Sequence, residues 1–182
     1  MYSKTKLHET IQAQVLNCMK STDIKDIRLE PILKAAGISK ATFYRNYRSI
    51  DDVVKEMEAE FLSGLKMINE MFPEEWVLSP ATFRRNCYEI ADYLDSKRSF
   101  LKVINGPHGD PQFLYKHSRV LIERISSSIK TKNPSRRHKD LYIQFLVDGT
   151  NSVLDNWIEN RPDIPPEEIA ELMEELFLMV LS

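Results

Sequence analysis

Apolar positions recur at three- and four-residue intervals along most of the chain, the spacing of one face of an α-helix, and strand signals are missing. Leu7, Ile11, Val15, Cys18 and Met19 mark a first helix over about residues 5–20. A polar connector from Ser21 to Ile27 follows. Leu29, Ile32, Leu33 and Ala36 then give a short amphipathic helix at 29–36. Gly37 suits the left-handed position that ends a helix, and Ser39 offers an N-cap oxygen for a second short helix from Lys40 to Tyr47. Two short helices joined by a turn of about three residues containing Gly form a helix-turn-helix pattern.

Ser49 is placed to cap a long helix over 50–72, with Asp51 and Asp52 favourably sited in its first turn. Its stripe runs Ile50, Val53, Val54, Met57, Phe61, Leu65, Ile68 and Phe72, and Pro73 ends it. This helix is the expected lever between head and body. Ser79 and Pro80 open a helix over 79–97, carrying Phe83, Cys87, Ile90, Ala91 and Leu94. A short piece at 99–104 ends in the loop GPHGDP at 106–111. A helix of about twenty residues is expected next, with Phe113, Val120 and Ile129 on it. Residues 126–139 break the pattern; their cations read as a solvated loop, with no aromatic residue to stack on bases.

The last two helices, 140–160 and one opened by Pro165-Pro166-Glu167-Glu168, are apolar on more than one side. A helix apolar all round must be buried. The small body has limited interior, so both are expected to pair with a second copy as a four-helix bundle. The expected dimer interface is Val153, Leu154, Trp157, Leu172, Met173, Leu176, Phe177 and Val180. Gly149, mid-helix, suits a close helix crossing.

The second short helix divides its labour. Phe43 and Tyr47, four apart, face its partner, while Lys40, Ala41, Tyr44 and Arg45 share another side. Lys40 or Arg45 suits guanine O6 and N7, and Ala41 a thymine methyl. Ser39, Thr42, Tyr44 and Arg48 suit phosphates. Arg28 and Asn46 complete the expected DNA-facing set, with Lys4 on an N-terminal arm.

Here the sequence resembles a family. GISKATFYRNYRSIDDVV, preceded by PILKAA, is similar to the DNA-binding signature of tetracycline-repressor-like (TetR family) regulators. Arg28 stands where a Thr commonly caps, Ala41 replaces a common Gly, and Ile50 replaces a Lys that usually binds a phosphate. FLKVINGPHGDPQFLYK, LYIQFLVDGTNSVLDNWIEN and PPEEIAELM resemble C-terminal domains of one branch of the family. The resemblance implies a homodimer held by its last helices, with an effector that is a small ligand or, in some members of that branch, a protein coregulator.

Charge sharpens this picture. The net charge of −2 divides unevenly. Residues 1–50 carry nine Lys/Arg against four Asp/Glu, and residues 51–182 sixteen against twenty-three, so a head of +5 sits on a body of −7. A basic end is what meets phosphate. No apolar run is long enough to span a membrane, and the N-terminus lacks a signal-peptide stretch, so a cytoplasmic address is expected. Cys18 and Cys87 read as small buried hydrophobes.

The four His are scattered, with no paired spacing and no Cys cluster, so no metal site is expected. No nucleophile elbow, P-loop or dinucleotide motif occurs. Neither catalytic residues nor cofactors are therefore expected. Phe61, Leu65, Tyr88, Phe100, Phe113 and His117 are candidates for lining a ligand pocket, though aromatic residues at this spacing also serve as plain core. Glu167, Glu168, Glu171, Glu174 and Glu175 read as a solvated face.

The expected architecture is all-α: a three-helix DNA-binding head at 1–49 and a helical ligand-binding and dimerisation body at 50–182. The expected activity is that of a dimeric regulator, most simply a repressor, bound to a palindromic operator in double-stranded DNA. The competing expectation is a dimeric adaptor whose head no longer binds DNA.

Overall fold

A computed structural model describes residues 4–72, 79–113, 116–120, 122–123, 126 and 137–181, and every regular element among them is helical. These are α1 (Lys4–Met19), a 3-10 turn (Ile24–Asp26), α2 (Leu29–Ala36), α3 (Lys40–Asn46), α4 (Ile50–Glu70), α5 (Pro80–Ser96), α6 (Arg98–Ile104), α7 (Lys139–Asn160) and α8 (Pro166–Leu181). The helix expected after residue 111 lies mostly outside the described residues, although 116–120 are helical. Most of the basic stretch at 126–139 also lies outside them.

The chain forms two compact units, each described on its own. The first comprises residues 1–61 and 99–113. Ile11, Val15 and Met19 of α1 are buried with Ile32 and Ala36 of α2, as the stripes require. Gly37 ends α2 with φ 65°, its N–H on the carbonyls of Leu33 and Lys34. Ile38 N–H also donates to Leu33 O, at 3.1 Å, which completes a Schellman-type stop. Ser39 Oγ accepts from Thr42 N–H at 3.1 Å and starts α3. Ser49 does the same for α4 through Asp52 N–H, also at 3.1 Å.

The rest of this unit departs from the expected boundary at residue 49. Phe61 of α4, Phe100 of α6 and Phe113 pack as a triad with ring centroids 5.5–5.6 Å apart. They join the first half of α4 to the 99–113 segment, and both belong to the same compact unit as residues 4–49. Leu101, Val103 and Ile104 of α6 are buried alongside. The chain then turns sharply, with Asp110 N–H returning to Ile104 O at 3.1 Å. Gly109 permits that turn: a Cβ there would sit 1.9 Å from Ile104 O.

The second unit comprises residues 62–98 and 114–182. Here α5 packs chiefly on α8, and α8 on α7. Phe83 of α5 meets Phe177 of α8 with centroids 5.8 Å apart. Arg98 closes the end of α7: its Nη1 donates to the carbonyls of Trp157 and Ile158 at 2.8 and 2.9 Å. Its guanidinium also lies 4.7 Å from the Trp157 ring centroid. Trp157 Nε1–H donates to Ile164 O at 2.8 Å, so the indole is both buried and satisfied. Glu174 corrects the solvated face expected of α8. It is only 5% exposed, and its carboxylate accepts from Arg84 Nε at 2.6 Å. A buried carboxylate needs such a partner.

Candidate nucleic-acid face and internal cavity

The candidate DNA face is built on α3. Phe43 and Tyr47 are buried and fix the helix from inside. Tyr47 also donates a short hydrogen bond to Glu56 of α4, and its hydroxyl lies 2.9 Å from His8 Nδ1 of α1. Burial and the Glu56 carboxylate push the Tyr47 phenol far above its ordinary range, so it stays a neutral donor. Two helices, α1 and α4, thus hold α3 at one end, and the Ser39 cap holds it at the other.

Lys40, Ala41, Tyr44 and Arg45 are all exposed on the opposite side, as the spacing predicts. Tyr44 is 52% exposed despite its size. Lys40 Nζ lies 6.0 Å from the Tyr44 ring centroid, and Arg45 Nη2 donates to Thr42 Oγ1 at 3.3 Å. Ser39, Arg28 and Arg48 are exposed at the ends of the motif. Arg28 occupies the N-cap of α2 without a side-chain bond, as expected where a Thr is replaced. Asn46 is turned away from this face: its Oδ1 lies 3.3 Å from His8 Nε2, and its Nδ2 donates to Thr42 O at 2.8 Å. The Lys4 side chain lies outside the described residues.

The second unit holds a cavity of about 70 Å³, lined mainly by Leu65, Phe83, Ile90, Leu154, Met173 and Phe177. Only Leu65 and His117 of the six sequence candidates line it. Phe61, Phe100 and Phe113 form the aromatic triad of the first unit, and Tyr88 lies in an outer groove with Arg84 and Glu167. Helical spacing cannot tell which face of a helix opens on a void. The polar part of the lining was missed altogether: Asn69, Asn86 and Thr150. Asn86 could have been found, since it interrupts the apolar stripe of its helix at a core position.

Burial pushes the His117 imidazole down to about 4, so the ring is neutral at pH 7. Burial likewise pushes the Cys87 thiol up to about 12. No Asp, Glu, Lys or Arg is among the described residues of the wall. The cavity is thus an uncharged, largely apolar space.

Four of the eight residues expected at a dimer interface face the interior of their own chain. Leu154, Met173 and Phe177 line the cavity, and Trp157 is sealed by Arg98. Val153 and Leu176 are half-buried and Leu172 is exposed, while the Val180 side chain lies outside the described residues. Both helices are apolar on two faces, and the periodicity did not say which face belongs to the core.

Residues 82–178, just over half of the chain, match the TetR-type family model described as the C-terminal region of a transcriptional regulator. No curated protein matches the sequence. Among solved structures, a TetR transcriptional regulator from Streptococcus agalactiae 2603V is 16% identical with a TM-score of 0.64, covering 94% of this chain and 93% of its own. PfmR, a TetR family regulator from Thermus thermophilus, is 18% identical with a TM-score of 0.64, covering 98% and 97%. The dihydroxyacetone kinase operon activator DhaS is 14% identical with a TM-score of 0.63, covering 98% and 97%. Thermus thermophilus FadR, a repressor solved with lauroyl-CoA, is 18% identical with a TM-score of 0.56, covering 94% and 93%. These likenesses concern the fold, and the family match carries the assignment: the chain belongs to the TetR family of transcriptional regulators.

Proposed function

We propose that the chain works as a homodimer on a palindromic operator, its two α3 helices entering successive major grooves about 34–36 Å apart, and that it represses until a small molecule fills the body cavity. The observation that carries this reading is the exposed quartet Lys40, Ala41, Tyr44 and Arg45 on a helix fixed at both ends. It offers two cations, a phenol and a small apolar contact, the set a base edge and a phosphate require.

Dimerisation is supported by what α7 leaves uncovered. Leu141 and Phe145 are 64% and 65% exposed, and Gly149 continues the same line four residues on, with open space around it. Leu172 of α8 is also exposed. Large side chains left in water in this way mark an interaction site.

Release by a ligand follows from differential affinity for the two states of the dimer. FadR, solved with lauroyl-CoA, supports a small-molecule effector for this fold. The test is fluorescence anisotropy with duplex DNA from upstream of the chain's own gene. Tight binding that falls steeply with salt is expected. Equal affinity for an unrelated duplex would overturn the operator reading and favour the adaptor.

A further inference from the structure

Resting on the operator reading, we infer that His8 is a positioning residue for DNA binding, which locks the end of α3 to α1 and α4 most firmly when its ring carries a second proton. The ring lies among three side chains of the first unit. Nε2 is 3.3 Å from Oδ1 of Asn46, the last residue of α3, and Nδ1 is 3.2 Å from both carboxylate oxygens of Glu56 on α4. The hydroxyl of Tyr47, the C-cap of α3, is 2.9 Å from the same Nδ1. The His8 and Tyr47 ring centroids are 5.1 Å apart.

Counting donors and acceptors fixes what the ring does. Asn46 Nδ2 donates to Thr42 O at 2.8 Å. That carbonyl only accepts, so the amide cannot turn round, and Oδ1 faces His8 as an acceptor. Nε2 therefore donates, which leaves Nδ1 without a proton in the neutral ring. There it confronts two carboxylate oxygens and the phenol oxygen, and the one phenol proton goes to Glu56. A neutral ring either draws that proton away from Glu56 or sets its lone pair against theirs. A proton on Nδ1 removes the conflict: Nδ1–H donates to Glu56, Tyr47 keeps its own bond, and an ion pair closes between α1 and α4. The charged and titratable groups here are Glu56 from α4 and Tyr47 from α3, with Glu60 one turn further along α4, held by Gln12 of α1 at 3.3 Å.

Arg45 of the exposed quartet directly precedes Asn46 and Tyr47. A clamp on those two residues fixes the helix before DNA arrives, and such preorganisation raises affinity. Acid within the stable range should therefore tighten operator binding.

The test uses the full-length protein and the duplex from upstream of its own gene, with anisotropy read from pH 8 to pH 6 at one salt concentration. The parent's affinity should rise about three- to tenfold over that range, inside the limit of about tenfold per pH unit that one proton allows. His8→Gln keeps a donor for Asn46 but cannot titrate, so the gain should be lost. Glu56→Gln keeps the shape and removes the charge, so it should lose the gain too, and the double variant should match either single. Thermal melts check that each variant is folded, and Glu56→Gln carries the test if His8→Gln is not.

An equal gain in folded His8→Gln would overturn the role. A gain that survives in Glu56→Gln would assign the effect to bare positive charge near DNA, and would overturn the clamp as well. A parent that prefers the operator but shows no gain with acid removes this role and leaves the operator reading standing. No preference over an unrelated duplex at either pH removes both.

Discussion

His108 Nδ1 lies 2.6 Å from Asp23 Oδ1, joining the turn after α6 to the connector between α1 and α2. The two residues are 85 positions apart in sequence, so the pair closes a long loop within the first unit. The hydrogen bond from His108 holds the Asp23 carboxyl below its ordinary value of 3.8. A carboxylate lowered in this way adds stability above the unfolded value, and that stability is lost as pH falls through the folded one. Asp23→Asn should therefore lower the melting temperature at pH 5–6, with the gap to the parent closing as the pH approaches 3. Thermal melts across that range check this, and a gap that did not change with pH would remove the carboxylate's role.

The α3 surface gives a prediction with a clean control. Tyr44→Ala and Arg45→Ala remove exposed groups, so each should leave stability within about 0.5 kcal/mol of the parent. Operator affinity should fall about 5- to 150-fold, the range of about 1–3 kcal/mol for a good base contact. Asn46→Ala should behave differently, because Asn46 bonds Thr42 O and His8. Its main cost should appear in the melting temperature. Anisotropy and thermal melts on the same preparations separate the two patterns.

His117 sets the acid limit of the second unit. Its imidazole is pushed from 6.5 down to about 4 by burial. A histidine depressed in the folded state contributes stability at pH above its unfolded value, and loses it as protons bind the unfolded chain first. Lowering the pH from 7 to 5 should cost about 2 kcal/mol from this residue alone. Replacement with Gln removes the titration, so the denaturation midpoint of His117→Gln should depend less on pH over that window. Equal slopes would show that the ring is solvated.

What the sequence disclosed, and what it hid, follows from how local each signal is. Gly37, Ser39 and the Phe43/Tyr47 spacing act within a few residues, and the turn and α3 formed where those signals put them. The Phe61–Phe100–Phe113 triad depends on three segments meeting. One stripe could not say whether those rings would line a void or fill it. Glu174 was hidden for the same reason. A polar residue looks solvated in one dimension until its neighbour, here Arg84, is known in three. The α7 and α8 residues expected between subunits show the remaining limit, since a helix with two apolar faces carries no label for inside.

Gly149 offers a way to tell those two faces apart. It sits within α7, where glycine costs about 1 kcal/mol relative to alanine, and a Cβ built there meets nothing within 4 Å in one chain. Gly149→Ala should therefore stabilise an isolated protomer by about 0.5–1 kcal/mol. If a second α7 crosses close to this point, the same methyl group should instead weaken self-association. Phe145→Ser, which removes a 65% exposed ring, should weaken it further with little effect on the fold. Sedimentation equilibrium read beside thermal melts decides the matter. A stabilised Gly149→Ala protein with unchanged association would place the subunit contact elsewhere than along Leu141, Phe145 and Gly149.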